Sequence, residues 1–287
     1  MSVITLGLNR ATLGRTYVGQ ATVADAGTIK DYALATSDEN PRYLDAHRPG
    51  GIVAPPMYLV RVLKGVLFEA MLDPEVNADM LMLVHGEQDI HFRQLVRPGD
   101  VLEPRCEIAE ILDKENGQVL KLTMRCDREG VVVADALATM FIRPRQKKEE
   151  KKTAAGKPRE AAPLPAWTFE DPIVVRPDQS IHYARASLDD NPIHVDDAVG
   201  KAAGLGGMIL QGLCSMAFCQ RAVVNAVLGG DPAALRRLKV RFSRPVHPGD
   251  TITVQGAVVA ETPKHVVFRA INHSGQPVIT DGVAEVD

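Results

Sequence analysis

Asp189, Asn191 and His194 stand within six positions of one another in the stretch 183–199, with Pro192 between them. A carboxylate and an imidazole held around one water can each give or take a proton, and histidine titrates near neutral pH without help. Proline fixes its own φ and pushes the residue before it out of helical geometry. The stretch therefore reads as a short helix over 180–188, a polar turn, and a second short helix from about Asp196. Such a turn can aim Asp189 and His194 at one point, with Asn191 orienting the water or the imidazole. The same residue types also make ordinary turns, and Asp189 could merely cap the next segment. On residue types alone, chemistry and turn weigh equally.

A second feature tips the balance. Gly212 opens a long apolar run to Leu228, which reads as a helix ended by Gly229-Gly-Asp-Pro232. The first N–H groups of a helix lack internal partners and carry partial positive charge. A glycine there lets a ligand approach the backbone closely. The arrangement suits a carbonyl oxygen that gains negative charge in a transition state. The plainer alternative is that Gly212 is an N-cap.

The elements that position these residues occur twice. His91 to Asp100 aligns with Arg241 to Asp250 at an offset of 150, with five of ten positions identical. Tyr32, Ala33, Asp38, Asn40 and Pro41 align with Tyr183, Ala184, Asp189, Asn191 and Pro192 at an offset of 151. Two distant blocks at nearly one offset indicate an internal repeat. The alignment identifies Asp189, not Asp190, as the counterpart of Asp38, and it puts Tyr43 at the position of His194. Only the second half keeps the trio. The first-half counterpart of the helix start, Ala54-Pro-Pro-Met57, offers no N–H at either proline. Each half reads as a long helix (57–71 and 212–228) followed by strand-like runs: 85–96, 101–112, 119–128 and 131–143, then 238–246, 251–261, 265–272 and 277–286. That is an α+β unit whose sheet buries one face against the helix. Residues 146–165 are charged, then Pro/Ala-rich, without apolar periodicity. They read as a linker between a first repeat, 1–145, and a second, 166–287.

Composition sets the bounds. The chain has 287 residues, 45% hydrophobic and 24% charged, with a formal net charge of −3. This is the profile of a globular protein, and no apolar run is long enough for a membrane span. The net charge and the lack of a basic stripe with aromatics argue against a nucleic-acid binder. Cys106, Cys126, Cys214 and Cys219 form no CxxC pair or metal-ligand spacing, so the expectation is no metal, no cofactor, and reduced core thiols in a cytoplasmic protein. Arg236, Arg237, Lys239 and Arg241 form a basic cluster that could meet a phosphate group.

These residues match a known pattern. Asp189-Asp-Asn-Pro-Ile-His194 within 183–198, the helix start at Leu210-Gln-Gly-Leu-Cys214, and the strand ending in Pro248-Gly-Asp250 resemble the MaoC-like (R)-specific enoyl-CoA hydratases. The first half resembles the degenerate N-terminal domain of their two-domain members. The resemblance implies a double hotdog fold and addition of water to a trans-2-enoyl thioester, or the reverse dehydration. Asp189 and His194 would be the acid/base pair, Asn191 would support them, and the Gly212 N–H would polarise the thioester carbonyl. It implies an acyl-CoA substrate, with an acyl-carrier-protein thioester or a branched dicarboxyl-CoA as the alternative within the family, and a pseudo-dimer that leaves further homodimerisation open. Two positions depart from the pattern: Leu188 where glycine usually precedes the aspartate, and Gln211 where histidine often precedes the helix glycine. A thioesterase of the same fold would carry an acid on the long helix, and 212–228 has none. A thioester-binding scaffold without turnover would have no need of the complete trio.

Overall fold

The computed structural model describes residues 7–144, 166–261 and 264–287. The expected linker, 146–165, lies outside the described residues. In the first half, β1 (Thr16–Val18) and β2 (Thr22–Val23) precede α1 (Ala26–Ala35) and the one-turn α2 (Pro41–Leu44). Then come the long α3 (Leu59–Leu72) and four strands: β3 (Leu83–Phe92), β4 (Val101–Lys114), β5 (Gly117–Arg128) and β6 (Val131–Ile142). The second half repeats the order with β7 (Phe169–Val174), α4 (Gln179–Ser187), α5 (Asp197–Ala202) and the long α6 (Gly212–Leu228). It ends in β8 (Leu235–Phe242), β9 (Thr251–Glu261), β10 (Lys264–Asn272) and β11 (Pro277–Val286).

The local causes are plain. Strand β4 alternates buried Leu102, Pro104, Cys106 and Ile108 with outward Glu103, Arg105 and Glu107, the period of two that a one-faced sheet requires. Helix α3 buries Leu59, Val62, Leu63, Val66, Leu67 and Ala70 in one stripe. Helix α6 is buried over most of its length, from Cys214 to Gln220 and from Ala222 to Val224. It stops where Gly229 turns left-handed at φ 57°, a conformation glycine adopts without a Cβ penalty.

The strands form one sheet in the order β1-β4-β5-β6-β3-β8-β11-β10-β9-β7, with β2 also on β4. The halves meet where β3 and β8 run antiparallel, Glu87 facing Arg241, Asp89 facing Lys239 and His91 facing Arg237. At an offset of 150, Asp89 thus faces its own repeat counterpart, which is the signature of an internal two-fold axis. Near the same axis the hydroxyls of Tyr32 and Tyr183, also repeat counterparts, lie 3.2 Å apart. One apolar core containing both long helices joins the halves.

Matched hydrogen bonds refine the repeat. Ala54 N donates to Val96 O at 2.8 Å, as Leu210 N does to Val246 O. Val53 N donates to Arg42 O, as Ile209 N does to Ile193 O. At the helix starts the offset is therefore 156. Pro55 answers to Gln211, Pro56 to Gly212, and Lys64 to Gln220.

Candidate active site

Helix α4 delivers the turn that carries Asp189, Asn191 and His194. Its last residue is followed by Leu188 at φ 65°, ψ 17°, the left-handed region that costs a Cβ-bearing residue roughly 1–2 kcal/mol. This explains why a glycine would suit the position. The turn is held locally by Ser187, whose hydroxyl donates to Tyr183 O at 2.7 Å and accepts from Asp189 N at 3.2 Å. Pro192 to His194 then form one 3-10 turn, capped by Asn191 Oδ1, which accepts from Ile193 N at 3.4 Å. Asn191 therefore shapes the backbone between Asp189 and His194, a role the spacing alone did not reveal.

His194 is half-buried, and its Nδ1 lies 2.9 Å from Ile209 O. A carbonyl only accepts, so Nδ1 carries the proton and Nε2 keeps a free lone pair. Burial holds the imidazole below its ordinary range, against an upward pull from the Asp189 carboxylate and the Ile209 carbonyl. The neutral, base-competent form is thus the favoured one at neutral pH.

Gln211, fully buried, ties the turn to the start of α6. Its Nε2 donates to Ser180 O and to Asp189 O, each at 3.1 Å. Its Oε1 and Asp189 Oδ1 are buried acceptors that no donor of the described residues reaches. Two such buried acceptors suit a small O–H donor. Next in sequence, Gly212 begins α6, whose first N–H groups have no intrahelical acceptor. A Cβ on Gly212 would come within 3.1 Å of the Phe242 ring, so the glycine keeps the close packing there.

The first half shows the same site altered. Asp38 is 2% exposed, and burial pushes its carboxyl up to about 6. Tyr43, in the place of His194, is buried with its hydroxyl unpartnered among the described residues. Gln220, from α6 of the other half, fills the space. Its Oε1 accepts from Met57 N at 3.1 Å and its Nε2 donates to Asp38 Oδ2 at 3.3 Å. A side-chain carboxamide thus occupies the gap between aspartate and helix start.

The basic cluster needs correction. Leu238 and Val240 face the core, so Arg237, Lys239 and Arg241 point away from the helices and from the Asp189 turn. Arg236 pairs with Asp287, Arg237 with Asp89 and Glu285, and Arg241 lies 3.6 Å from Glu87. Three of the four cations thus have carboxylate partners, two of them, Arg237 and Arg241, across the β3–β8 joint. All four cysteines are buried and unbonded. Among the described residues, no three His, Cys, Asp or Glu side chains are placed to hold a metal. A cavity of about 1610 Å³ opens on Asp38 and Asn40, not on Asp189. Its wall carries Asp31, Glu39, Arg42, Arg176 and the Arg221–Asp171 ion pair, so it is no alkyl pocket.

Two hotdog units, one with the Asp189–His194 turn tied by Gln211 to a helix N-terminus, define the class of the protein: a double-hotdog dehydratase. Comparison with known proteins agrees. Residues 160–279 match the MaoC like domain, and residues 11–136 match the FAS1-like dehydratase domain region. The 3-hydroxyacyl-thioester dehydratase Y of Mycobacterium tuberculosis is 31% identical over 71% of this chain and 72% of that protein. The probable enoyl-CoA hydratase 2 of Dictyostelium discoideum is 27% identical over 83% of this chain and 79% of that protein. The crystal structure of a MaoC-like dehydratase from Phytophthora capsici superposes with a TM-score of 0.80 at 25% identity, covering 97% of each chain. Four further relatives are longer chains, of which this one spans between 23% and 38%. The chain belongs to the MaoC-like dehydratase family.

Proposed function

We propose that the chain hydrates a trans-2-enoyl thioester to the (R)-3-hydroxyacyl thioester, or dehydrates the product, at Asp189, His194 and Gly212. The observation that carries this reading is a neutral His194 with Nε2 uncommitted, within the electrostatic reach of Asp189 whose Oδ1 is buried without a partner among the described residues, on a turn that Gln211 ties to the start of α6. The Gly212 N–H donates to the thioester carbonyl oxygen and stabilises the enolate that forms as water adds to Cβ. His194 Nε2 takes one water proton, and Asp189 holds the water by the other hydrogen and stabilises the imidazolium. The proton on His194 is then delivered to Cα, so water is added without remainder. Dehydration is the same path in reverse.

In this reading the acyl group is carried by coenzyme A, with acyl carrier protein as the alternative carrier. The proton transfers call on no metal or cofactor. Four unbonded buried thiols fit a reducing compartment such as the cytoplasm, and a homodimer of the whole chain is compatible with the fold. No helix among the described residues is long and apolar enough to cross a membrane. The test is loss of enoyl absorbance on hydration of a series of enoyl-CoA and enoyl-carrier thioesters. Asp189→Asn and His194→Ala should each lower kcat by about 10²–10⁴. Near-normal rates in both would sink the mechanism.

A further inference from the structure

The catalytic turn is held from the other half of the molecule. Leu188 sits in the left-handed region, and no backbone N–H of this C-cap bonds back to the end of α4, unlike Thr36 at the end of α1. The last carbonyls of α4 are met by Arg61 of α3 instead. Its Nη1 lies 2.8 Å from Ala186 O and 3.4 Å from Arg185 O. One turn along the same helix, Lys64 Nζ lies 3.5 Å from Asp190 Oδ1. Helix α3 thus touches the turn on both sides of Leu188 and Asp189. Asp190 is well exposed, so the lysine contact is weak; the arginine, with a charge-assisted bond to a carbonyl, carries the hold.

The first half uses the same device. Its turn passes through Ser37 at φ 52°, and Arg221 of α6 places Nη1 2.7 Å from Ser37 O. The two arginines are not repeat counterparts, since Arg61 answers to Ala217 and Arg221 to Gly65. The contact was therefore not simply copied with the repeat; a left-handed turn in each half is met by an arginine from the long helix of the other.

We infer that Arg61 is a positioning residue for the reaction: the first half, which lacks a trio of its own, keeps Asp189 aimed by holding the strained turn before it. The inference rests on the reading of Asp189 as catalytic. Arg61→Ala should lower kcat at least tenfold and leave KM within about threefold, because the group acts through the turn. Leu188→Gly removes the cost of the left-handed conformation. Added to Leu188→Gly, Arg61→Ala should therefore cost no more than about threefold in kcat. Should Arg61→Ala not fold, Arg61→Gln, which keeps part of the stem and one donor pair, is read the same way. A wild-type kcat in the arginine variant, or a loss equally large with and without Leu188→Gly, overturns the inference. Asp189→Asn is measured in parallel. If it stays active, the reading of the site has failed. If it is inactive while the arginine variant runs at the wild-type rate, only the positioning role has failed.

Discussion

His194 differs from an ordinary surface histidine in two respects that act together. Its Nδ1–H is committed to Ile209 O, so only Nε2 is left to accept a proton. Burial then favours the neutral ring over the charged one. The base form is required for hydration, so kcat/KM falls as pH drops through the histidine's pKa in the free enzyme. Because that pKa is held below the ordinary 6.5, the acid limb should lie below pH 6.5. A kcat/KM profile from pH 4.5 to 8 checks this, and a half-maximal point above 6.5 contradicts it. Removal of the Asp189 charge acts in the opposite direction to burial. In Asp189→Asn any residual activity should show its acid limb at still lower pH, since the carboxylate's upward pull on His194 is gone.

At the scale of elements, α6 serves both turns. Its first residues face the Asp189 turn, while Gln220 in its middle bridges Asp38 and Met57 in the other half. The burial of Asp38 has a thermodynamic consequence. Its folded pKa, about 6, lies above its ordinary 3.8, so between these values the folded state binds more protons than the unfolded one. By linkage, stability falls as pH rises through that window. A shift of about two units corresponds to roughly 2–3 kcal/mol at most. Measured against Asp38→Asn, the wild type should gain stability as pH is lowered from 8 to 5; a difference in Tm that is flat with pH would refute it. Much at this scale was legible in the sequence. The repeat, the helix from Gly212 to Leu228 and the replacement of His194 by Tyr43 all follow from residue order. Strand β7 did not, because Asp171 and Pro172 interrupt its alternation, a pattern tolerated at a sheet edge. The basic cluster misled for another reason. Charge is visible in sequence, but the partners of Arg236, Arg237 and Arg241 come from Asp287, Asp89, Glu285 and Glu87, brought together only by strand pairing. The hold of Arg61 on α4 was equally invisible, since a lone arginine in an apolar helix reads as a solvated side chain.

For the molecule as a whole, the joint between β3 and β8 decides whether one half can work alone. Without the first half, β8 becomes an open edge whose Leu238 and Val240, now fully buried, lose part of their cover. Asp89, one of the two carboxylates of Arg237, is removed, and α4 loses the contacts of Arg61. The second half carries every group assigned to the chemistry and holds its turn in part through Ser187 and Gln211, yet Arg61, which meets the end of α4, and the strand that closes its sheet belong to the first. Residues 166–287 produced alone should therefore show kcat at least tenfold below the whole chain, with a tendency to self-associate through the exposed edge. Residues 1–144 supplied as a separate chain should restore activity, because the antiparallel register and the shared core need no covalent link between the halves. Steady-state assays of the second half, with and without the first at increasing concentration, decide the matter. Full activity from the second half as a monomer would mean that the first half contributes nothing to the aim of Asp189.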